Sequence, residues 1–306
     1  MKKYLRESLF VARPSSITPE DFFLLLSFVS RKSKEYLIAH PEHLFSESIY
    51  QKFSALLERR SNHEPIAFIT GFKEFYGFHF FVNPATLIPR PETELIVESV
   101  LENIAHQQAP LTHYSKKKFL TLVDVGTGSG NILLSILKML EKKQMPPIPL
   151  SCFGLDISSE ALTLAKKNAR TLNPNIHVRF LQSDLLQALP AQAIQQSAHL
   201  YILANLPYLS EKIYQECQPD VKNYEPKTAL VSESEGCSHI ERLLHEIGSL
   251  HDTYPHLLID IWLEISPEQK IPLTKKIRAA LQTSRVTFQK DLAQKYRFAH
   301  IVLRTE

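Results

Sequence analysis

Two short stretches of the sequence carry residues that could do chemistry. In "LVDVGTGSGNI", three alternating glycines follow an apolar run that ends at Asp124. In "ILANLPYLSEK", another apolar run ends in the tetrapeptide Asn205-Leu206-Pro207-Tyr208. A turn would explain an asparagine and a proline after a strand, but it does not require the tyrosine. Both stretches therefore need a chemical interpretation as well as a structural one.

The glycine stretch has the composition of a ligand-binding loop. Because glycine has no Cβ, it lets the backbone turn sharply and approach a ligand closely. The apolar helix expected from Ile132 presents unpaired N–H groups at the same place. A tight turn without a ligand is the alternative, and three alternating glycines among only eight in the chain argue against it. The dinucleotide fingerprint would need a glycine where Asn131 stands.

The spacing Asp-x-Gly-x-Gly-x-Gly instead resembles the class I S-adenosylmethionine-dependent methyltransferases. This resemblance implies S-adenosylmethionine as the cofactor. It also implies an α/β fold with a seven-stranded, mostly parallel, doubly wound sheet. The cofactor-binding residues that it predicts in the loop are Asp124, Gly126, Thr127, Gly128, Ser129 and Gly130.

Two further carboxylates follow predicted strands and fit the same ligand. Asp156, in "CFGLDISSEAL", is placed to accept both ribose hydroxyls at the carboxyl end of the second strand. Helix capping by Asp156 or Ser158 is the alternative. Asp184, in "LQSDLL", follows the third strand, where an acid contacts the adenine amino group in such methyltransferases. A helix cap explains Asp184 equally well, and we include its neighbour Leu185 in the predicted cofactor site.

The tetrapeptide 205–208 suits methylation of an amino group attached to an sp² carbon. Such a nitrogen must present its lone pair to the methyl donor, and positive charge develops on it. The Asn205 side-chain oxygen and the Leu206 carbonyl are two acceptors that would orient its N–H groups and stabilise that charge. Pro207 holds Leu206 in an extended conformation, and Tyr208 offers a flat face to a planar amide or base. We predict that all four residues are catalytic and that Asn205 also contacts the cofactor.

This tetrapeptide resembles the [N/D/S]-P-P-[Y/F/W] motif of amino methyltransferases. Leu206 replaces the proline of many members, which keeps the carbonyl and makes the loop less stiff. The leucine version is also similar to ribosomal RNA adenine dimethyltransferases. An amino group of adenine or cytosine in RNA or DNA is therefore the second predicted substrate.

The elements that position these stretches fall into three segments. Residues 1–72 have helical patterns without strand-like alternation, and both Thr18 and Ser46 precede expected helices. Residues 73–90 are aromatic-rich and predict a β-hairpin that belongs to neither core. From residue 91, apolar runs alternate with helical patterns, as in a parallel sheet. The predicted strands are Leu120–Val125, Cys152–Leu155, Val178–Leu181, Leu200–Ala204, Leu257–Trp262, Val286–Gln289 and Ala299–Leu303.

The stretch from Glu64 to Glu98, "EPIAFITGFKEFYGFHFFVNPATLIPRPETELIVE", closely resembles the peptide chain release factor glutamine N5-methyltransferase family. The resemblance continues through "LEISPEQ" and "FQKDLAQKYR". It implies a substrate-docking helical domain (1–72), a hairpin linker (73–90) and a methyltransferase domain (91–306). It also implies a monomer that methylates the Gly-Gly-Gln glutamine of class I release factors. The chain departs from the family at Ala229–Leu244, where a glycine-rich segment is usual.

Composition agrees with a globular cytoplasmic protein. The chain has 306 residues, 44% of them hydrophobic, and a net charge of +3. Proteins that bind nucleic-acid phosphates are usually more basic, so we expect no direct contact with nucleic acid, although the net charge leaves a local basic patch open. Three cysteines fall in no metal-ligand spacing, so we expect no metal and reduced, mostly buried thiols. No apolar run near the start is long enough to span a bilayer. A catalytically inactive binding module is the remaining alternative, and the intact glycine loop argues against it.

Overall fold

The computed structural model describes residues 3–111, 119–144 and 149–304. The chain forms two compact units. The first ends at Phe72 and also contains Cys217–Tyr224. The second comprises Lys73–Glu216 and the residues from Glu225 onwards.

The first unit is mainly helical, as the sequence predicts. Thr18 caps its second helix by accepting a hydrogen bond from the Asp21 N–H at 3.1 Å. The core packs aromatic side chains edge to face, as in the pair Phe22 and Phe53, whose ring centroids are 5.0 Å apart. Its first five helices are α1 (Arg6–Val11), α2 (Pro19–Ser30), α3 (Lys34–Ala39), α4 (Glu47–Ser61) and α5 (Ile66–Thr70).

This unit also contains two strands, so the prediction that it has none is wrong. Strands β1 (Lys3–Leu5) and β2 (Leu44–Ser46) pair antiparallel. Each has only three residues, which is too short to show a period-2 alternation in the sequence. The short helix Pro219–Tyr224 belongs to the same unit, and Tyr224 Oη donates to the Asn62 carbonyl at 2.7 Å.

The second unit is built on a seven-stranded, mostly parallel sheet, which confirms the predicted fold class. A separate hairpin, β3 (Phe72–Phe75) and β4 (Phe78–Phe81), precedes it. The sheet strands are β5 (Phe119–Val125), β6 (Leu150–Asp156), β7 (Val178–Gln182), β8 (Ser197–Ala204), β9 (Leu258–Glu264), β10 (Arg285–Lys290) and β11 (Tyr296–Leu303). Their order is β10-β11-β9-β8-β5-β6-β7, and only the β10–β11 and β11–β9 pairs are antiparallel.

Helices cover both faces of this sheet. Successive residues of each strand point to opposite faces, so Leu200 and Ile202 enter one core while Tyr201 and Leu203 enter the other. The helices described in the second unit and in the segment between its two parts are α6 (Glu94–Leu111), α7 (Asn131–Lys142), α8 (Ser159–Leu172), α9 (Ala191–Gln195), α10 (Glu211–Gln215), α11 (Pro219–Tyr224), α12 (Glu233–Gly236), α13 (Ser238–Thr253) and α14 (Lys270–Ala280).

The β3–β4 hairpin packs into the core of the second unit, so the expectation that it belongs to neither core is wrong. Phe75 and Phe80 are fully buried and pack in the same cluster as α6 and α7. The turn places Tyr76 and Gly77 at φ of 52° and 75°, which is the left-handed pair of a two-residue hairpin turn. The aromatic residues that predict the strands therefore also anchor them.

Two sequence expectations concern the described part of the chain as a whole. All three cysteines are free thiols, and Cys152 and Cys237 are buried, as predicted. Within the described ranges, no helix is both long enough and apolar enough to cross a membrane.

A buried Asp260 side chain ties three strands together near the amino ends of β8 and β9. Asp260 accepts hydrogen bonds from His199 Nε2 and His300 Nε2, each at 2.6 Å. Asp260 and His199 are both inaccessible to solvent. Burial would raise the pKa of Asp260, but the two histidine hydrogen bonds outweigh it and lower the pKa to about 2.

We therefore expect Asp260 to make the free energy of unfolding depend on pH in the acid range. A lowered pKa stabilises the fold above the ordinary aspartate pKa of about 3.9, and that contribution is lost as the pH falls toward about 2. The Asp260→Asn variant should lose about 3 kcal/mol of unfolding free energy at neutral pH and should show a shallower acid dependence. Denaturant unfolding at several pH values measures both. The exposed Asp252→Asn serves as control, and equal acid dependence in wild type and Asp260→Asn would refute the assignment.

Candidate active site

The register of four parallel strands brings the predicted site residues to one edge of the sheet. Val125 of β5 pairs with Leu155 of β6 on one side and with Ala204 of β8 on the other. Ala204 in turn pairs with Leu263 of β9. The residues that follow these four therefore emerge side by side, namely Asp156, Gly126, Asn205 and Glu264. The strand order reverses between β5 and β8, and ligands of doubly wound folds bind at such a point.

The glycine loop adopts a backbone that side chains disfavour. Gly126, Gly128 and Gly130 have φ of 70°, 53° and 79°, all in the left-handed region. A Cβ on Gly126 would lie 3.1 Å from Leu206 Cδ2. The buried leucine of the tetrapeptide thus packs directly on the glycine loop, and this contact sets the spacing between the two stretches.

Asp156 joins the second strand end to the glycine loop. Its Oδ2 accepts from the Gly128 N–H at 2.8 Å, and its Oδ1 accepts from the Ser158 N–H at 2.9 Å. Burial raises the pKa of this carboxyl above its usual range. Ser158, not Asp156, caps α8, by accepting from the Ala161 N–H at 3.1 Å. Helix capping therefore leaves Asp156 free for a ligand.

A cavity of about 350 Å³ opens between these strand ends. Its wall is polar at Asp156 and apolar at Ile157 and Ala161. Eight of the residues predicted as cofactor-binding or catalytic line it, namely Gly126, Gly128, Asp156, Asp184, Leu185, Asn205, Leu206 and Pro207. Predicted residues thus line the cavity on both sides of the switch point.

Four residues predicted to bind the cofactor make contacts inside the loop and do not line the cavity, namely Asp124, Thr127, Ser129 and Gly130. Thr127 Oγ1 donates to Asp124 Oδ2 at 2.7 Å. Burial raises the pKa of Asp124 to about 7, against the lowering effect of that bond. Asn168 Nδ2 donates both to the Ser129 carbonyl at 2.9 Å and to the Phe81 carbonyl of the hairpin at 3.0 Å. These contacts hold the loop in shape.

Asp184 and Leu185 lie at the other end of the cavity. Asp184 Oδ2 accepts from Arg242 at 2.5 Å, and Arg242 itself lines the cavity. The residues directly after Asp184 form a turn, and the next helix, α9, begins only at Ala191, so Asp184 does not cap a helix. Leu185 is buried and has a φ of 49°. Sequence reasoning missed Arg242, whose position depends on α13 packing beside the third strand end.

The tetrapeptide presents two hydrogen-bond acceptors beside the cavity. Asn205 Nδ2 donates to Thr93 Oγ1 at 3.3 Å, and no described residue donates to its Oδ1. No described residue donates to the Leu206 carbonyl either. Tyr208 does not line the cavity, and its Oη donates to Glu264 Oε1 at 3.4 Å. The arrangement can therefore bind a group that carries two N–H donors.

Sequence reasoning missed Thr93 and Glu264 as members of the site. Thr93 Oγ1 donates to Glu264 Oε2 at 2.6 Å, and both side chains are buried. Burial raises the pKa of Glu264 to about 7, against the lowering effect of the Thr93 hydrogen bond. Glu264 ends an apolar strand, as Asp156 does, and this signal could have identified it. Arg90, from the same segment as Thr93, pairs with the buried Glu225.

The segment that departs from the family pattern supports the backbone of Tyr208. Ser234, Glu235 and Gly236 have φ of 53°, 56° and 84°, three successive left-handed residues. A Cβ on Gly236 would lie 2.0 Å from the Tyr208 carbonyl oxygen. Gln269 Nε2 donates to the Gly236 carbonyl at 2.9 Å and to the Tyr208 carbonyl at 3.3 Å. Close packing against Tyr208 therefore requires glycine at position 236.

Comparison with known proteins identifies the family of the chain. Residues 7–71 match a family model described as the PrmC N-terminal domain, and residues 116–271 match one described as a methyltransferase domain. A release factor glutamine methyltransferase of Escherichia coli is 33% identical over 244 residues, which covers 79% of each chain. The enzyme of that name from Enterococcus faecalis is 32% identical over 284 residues, which covers 92% of this chain and 91% of the relative.

Solved structures support the fold alone, because their sequences are distant. The human Mettl16 catalytic domain in complex with MAT2A 3′UTR hairpin 1 has a TM-score of 0.56 at 15% identity and covers 94% of this chain and 92% of its own. The same domain with hairpin 6 has a TM-score of 0.54 at 14% identity, covering 87% and 85%.

The close approach of Gly236 to Tyr208 gives a stability prediction. Gly236→Ala should lower the free energy of unfolding by about 3–5 kcal/mol, because it adds left-handed strain and forces the Tyr208 backbone away. Gly77→Ala is the matched control, since Gly77 also has a positive φ of 75° but open space around its Cβ position. That control should cost only about 1–2 kcal/mol. Equal losses in denaturant unfolding would contradict the packing argument.

Proposed function

The chain belongs to the release factor glutamine methyltransferase family, and we propose that it methylates the glutamine of the Gly-Gly-Gln motif in class I peptide chain release factors. The methyl group goes from S-adenosylmethionine to the side-chain amide nitrogen, N5. The observation that carries this proposal is the pair of unpaired acceptors, Asn205 Oδ1 and the Leu206 carbonyl, beside a cavity lined by the glycine loop. A primary amide carries the two N–H donors that such a pair accepts.

The residues around the cavity fit S-adenosylmethionine. Asp156 retains acceptor capacity beyond its two backbone hydrogen bonds and can take the ribose hydroxyls. Ile157, Ala161 and Leu185 give an apolar surface for the adenine ring, and Asp184 lies at its edge. Gly126 and Gly128 line the cavity without side chains, so the ligand can approach their backbone closely. When bound, the cofactor supplies an electrophilic methyl group on a positively charged sulfur.

The chain's own residues prepare the amide nitrogen for this methyl group. Asn205 Oδ1 and the Leu206 carbonyl accept the two N–H groups of the substrate, which turns the nitrogen lone pair toward the cavity. As positive charge develops on nitrogen, the same two acceptors stabilise it without having to reorganise. Pro207 adds no competing N–H, and Tyr208 lies next to the planar amide. No strong base is required, because the proton leaves after the methyl transfer.

A protein substrate also suggests a role for the helical first unit. We propose that the helical unit helps to dock the release factor, since Leu24 and Phe28 lie one turn apart on α2 with 41% and 42% of their surface exposed. We further propose that the enzyme acts on this folded partner as a monomer in the cytoplasm. It then needs no direct contact with nucleic acid.

Mass spectrometry of a purified release factor tests the proposed reaction. Incubation with this protein and S-adenosylmethionine should add one methyl group to the Gly-Gly-Gln glutamine. Asn205→Ala should reduce the rate at least about 100-fold, because it removes one of the two acceptors. The exposed Asn175→Ala should leave the rate unchanged. If the release factor stays unmodified while an RNA or DNA amino group is methylated, the proposed substrate is wrong.

Calorimetric titration with S-adenosylmethionine tests the cofactor site separately. Asp156→Asn should weaken binding about 10- to 100-fold, because an amide accepts fewer hydroxyl and N–H hydrogen bonds than a carboxylate and carries no charge. The exposed Asp252→Asn should bind as the wild type does. Equal affinity of Asp156→Asn and wild type would remove Asp156 from the cofactor site.

A further inference from the structure

Glu264 receives hydrogen bonds from both ends of the catalytic region. One carboxylate oxygen, Oε2, accepts from Thr93 Oγ1 at 2.6 Å, and Thr93 Oγ1 accepts from Asn205 Nδ2 at 3.3 Å. The other oxygen, Oε1, accepts from Tyr208 Oη at 3.4 Å. Glu264 is only 3% exposed, so water does not compete for these bonds. A single buried carboxylate therefore contacts Tyr208 directly and Asn205 through one hydroxyl group.

The number of protons in this chain of hydrogen bonds fixes the orientation of Asn205. A threonine hydroxyl carries one hydrogen. When Glu264 is ionised it can only accept, so that hydrogen points to Glu264 and the Thr93 oxygen is left as an acceptor. Asn205 must then turn its NH₂ group to Thr93, which directs Oδ1 to the opposite side. The described residues offer no donor to Oδ1 there, and the substrate amide supplies one.

A protonated Glu264 permits the opposite orientation. Its O–H can donate to Thr93, and the threonine hydrogen is then free to donate to Asn205 Oδ1. When the Asn205 side chain turns in this way, its NH₂ group faces the substrate. Two donors would then face each other where the reaction needs an acceptor opposite a donor.

We propose that Glu264 is a positioning residue, whose ionised carboxylate acts through Thr93 to keep Asn205 Oδ1 directed at the substrate. Tyr208 donates to the same carboxylate, so Glu264 also holds a second side chain of the tetrapeptide. The expected effect on the methylation rate rests on the proposed function. The expected orientation of Asn205 holds whatever the substrate is.

The charged groups around Glu264 make this device sensitive to pH near neutrality. Burial and the neighbouring Glu92 raise its pKa, whereas Thr93, Arg297 and Tyr208 lower it, and the result is about 7. Arg297 also pairs with Glu92 at 3.7 Å, which weakens the effect of each on Glu264. As the pH falls below about 7, the carboxyl takes up a proton and the correctly oriented Asn205 is lost. The catalytic rate should therefore fall toward acid pH.

Kinetics of the 306-residue protein test the proposal with three variants. Glu264→Gln should lower kcat at least about tenfold at alkaline pH, with little change in the KM for S-adenosylmethionine, and should abolish the decline in rate below about pH 7. Thr93→Val should lose as much activity, because it breaks the connection to Asn205. Thr93→Ser keeps the hydroxyl and should retain most of kcat. An equal loss in Thr93→Ser and Thr93→Val, or an unchanged pH profile in Glu264→Gln, would overturn the proposal.

A second measurement does not need the release factor. In protein labelled with ¹⁵N-asparagine, the side-chain NH₂ signal that disappears in Asn205→Ala belongs to Asn205. Its chemical shift should titrate near pH 7 in the wild type and stay constant in Glu264→Gln. If it titrates while no release factor is methylated, the positioning role stands and the proposed function fails. If it does not titrate, the positioning role fails whatever the substrate is.

Discussion

Backbone hydrogen bonds between four parallel strands fix the geometry on which the active site depends. The register aligns Leu155, Val125, Ala204 and Leu263 across β6, β5, β8 and β9. Because side chains alternate along a strand, a shift of one residue would send every core side chain to the wrong face. The two apolar cores therefore hold the register, and the register places the cofactor loop, the tetrapeptide and Glu264 within reach of one another. The catalytic residues themselves contribute little to this alignment.

Buried carboxyl groups on the same sheet have pKa values shifted in opposite directions. At the carboxyl edge, burial raises the pKa of both Asp124 and Glu264 to about 7, since the hydrogen bonds that they receive come from uncharged donors. Near the opposite edge, two imidazole donors lower the pKa of Asp260 to about 2. Burial acts on all three in the same sense, so the partners decide the result. Two carboxyls with a pKa near neutrality thus lie at the edge where the chemistry takes place.

The sequence alone predicts the seven strands, the glycine loop and the tetrapeptide, because each is a local pattern of apolar, glycine or motif residues. It does not predict contacts that depend on register. Thr93 and Glu264 are 171 positions apart, and Asn205 and Thr93 are 112 apart, so no window of sequence contains both partners. The β1–β2 pair is too short for a periodic signal. The left-handed Ser234 and Glu235 also run against local preference, and they directly precede Gly236, which packs on Tyr208.

The hydrogen bonds run in one direction, since Asn205 donates to Thr93 and Thr93 donates to Glu264. This direction has an evolutionary consequence. An aspartate in place of Asn205 would meet a threonine oxygen whose only hydrogen already belongs to Glu264, and two neighbouring carboxylates would compete for that one hydrogen. A change that removes the amide, the hydroxyl or the carboxylate is therefore costly until the other two positions follow. We expect the three to covary, so that enzymes of this fold with aspartate at the first position of the tetrapeptide have lost the threonine, the glutamate or both.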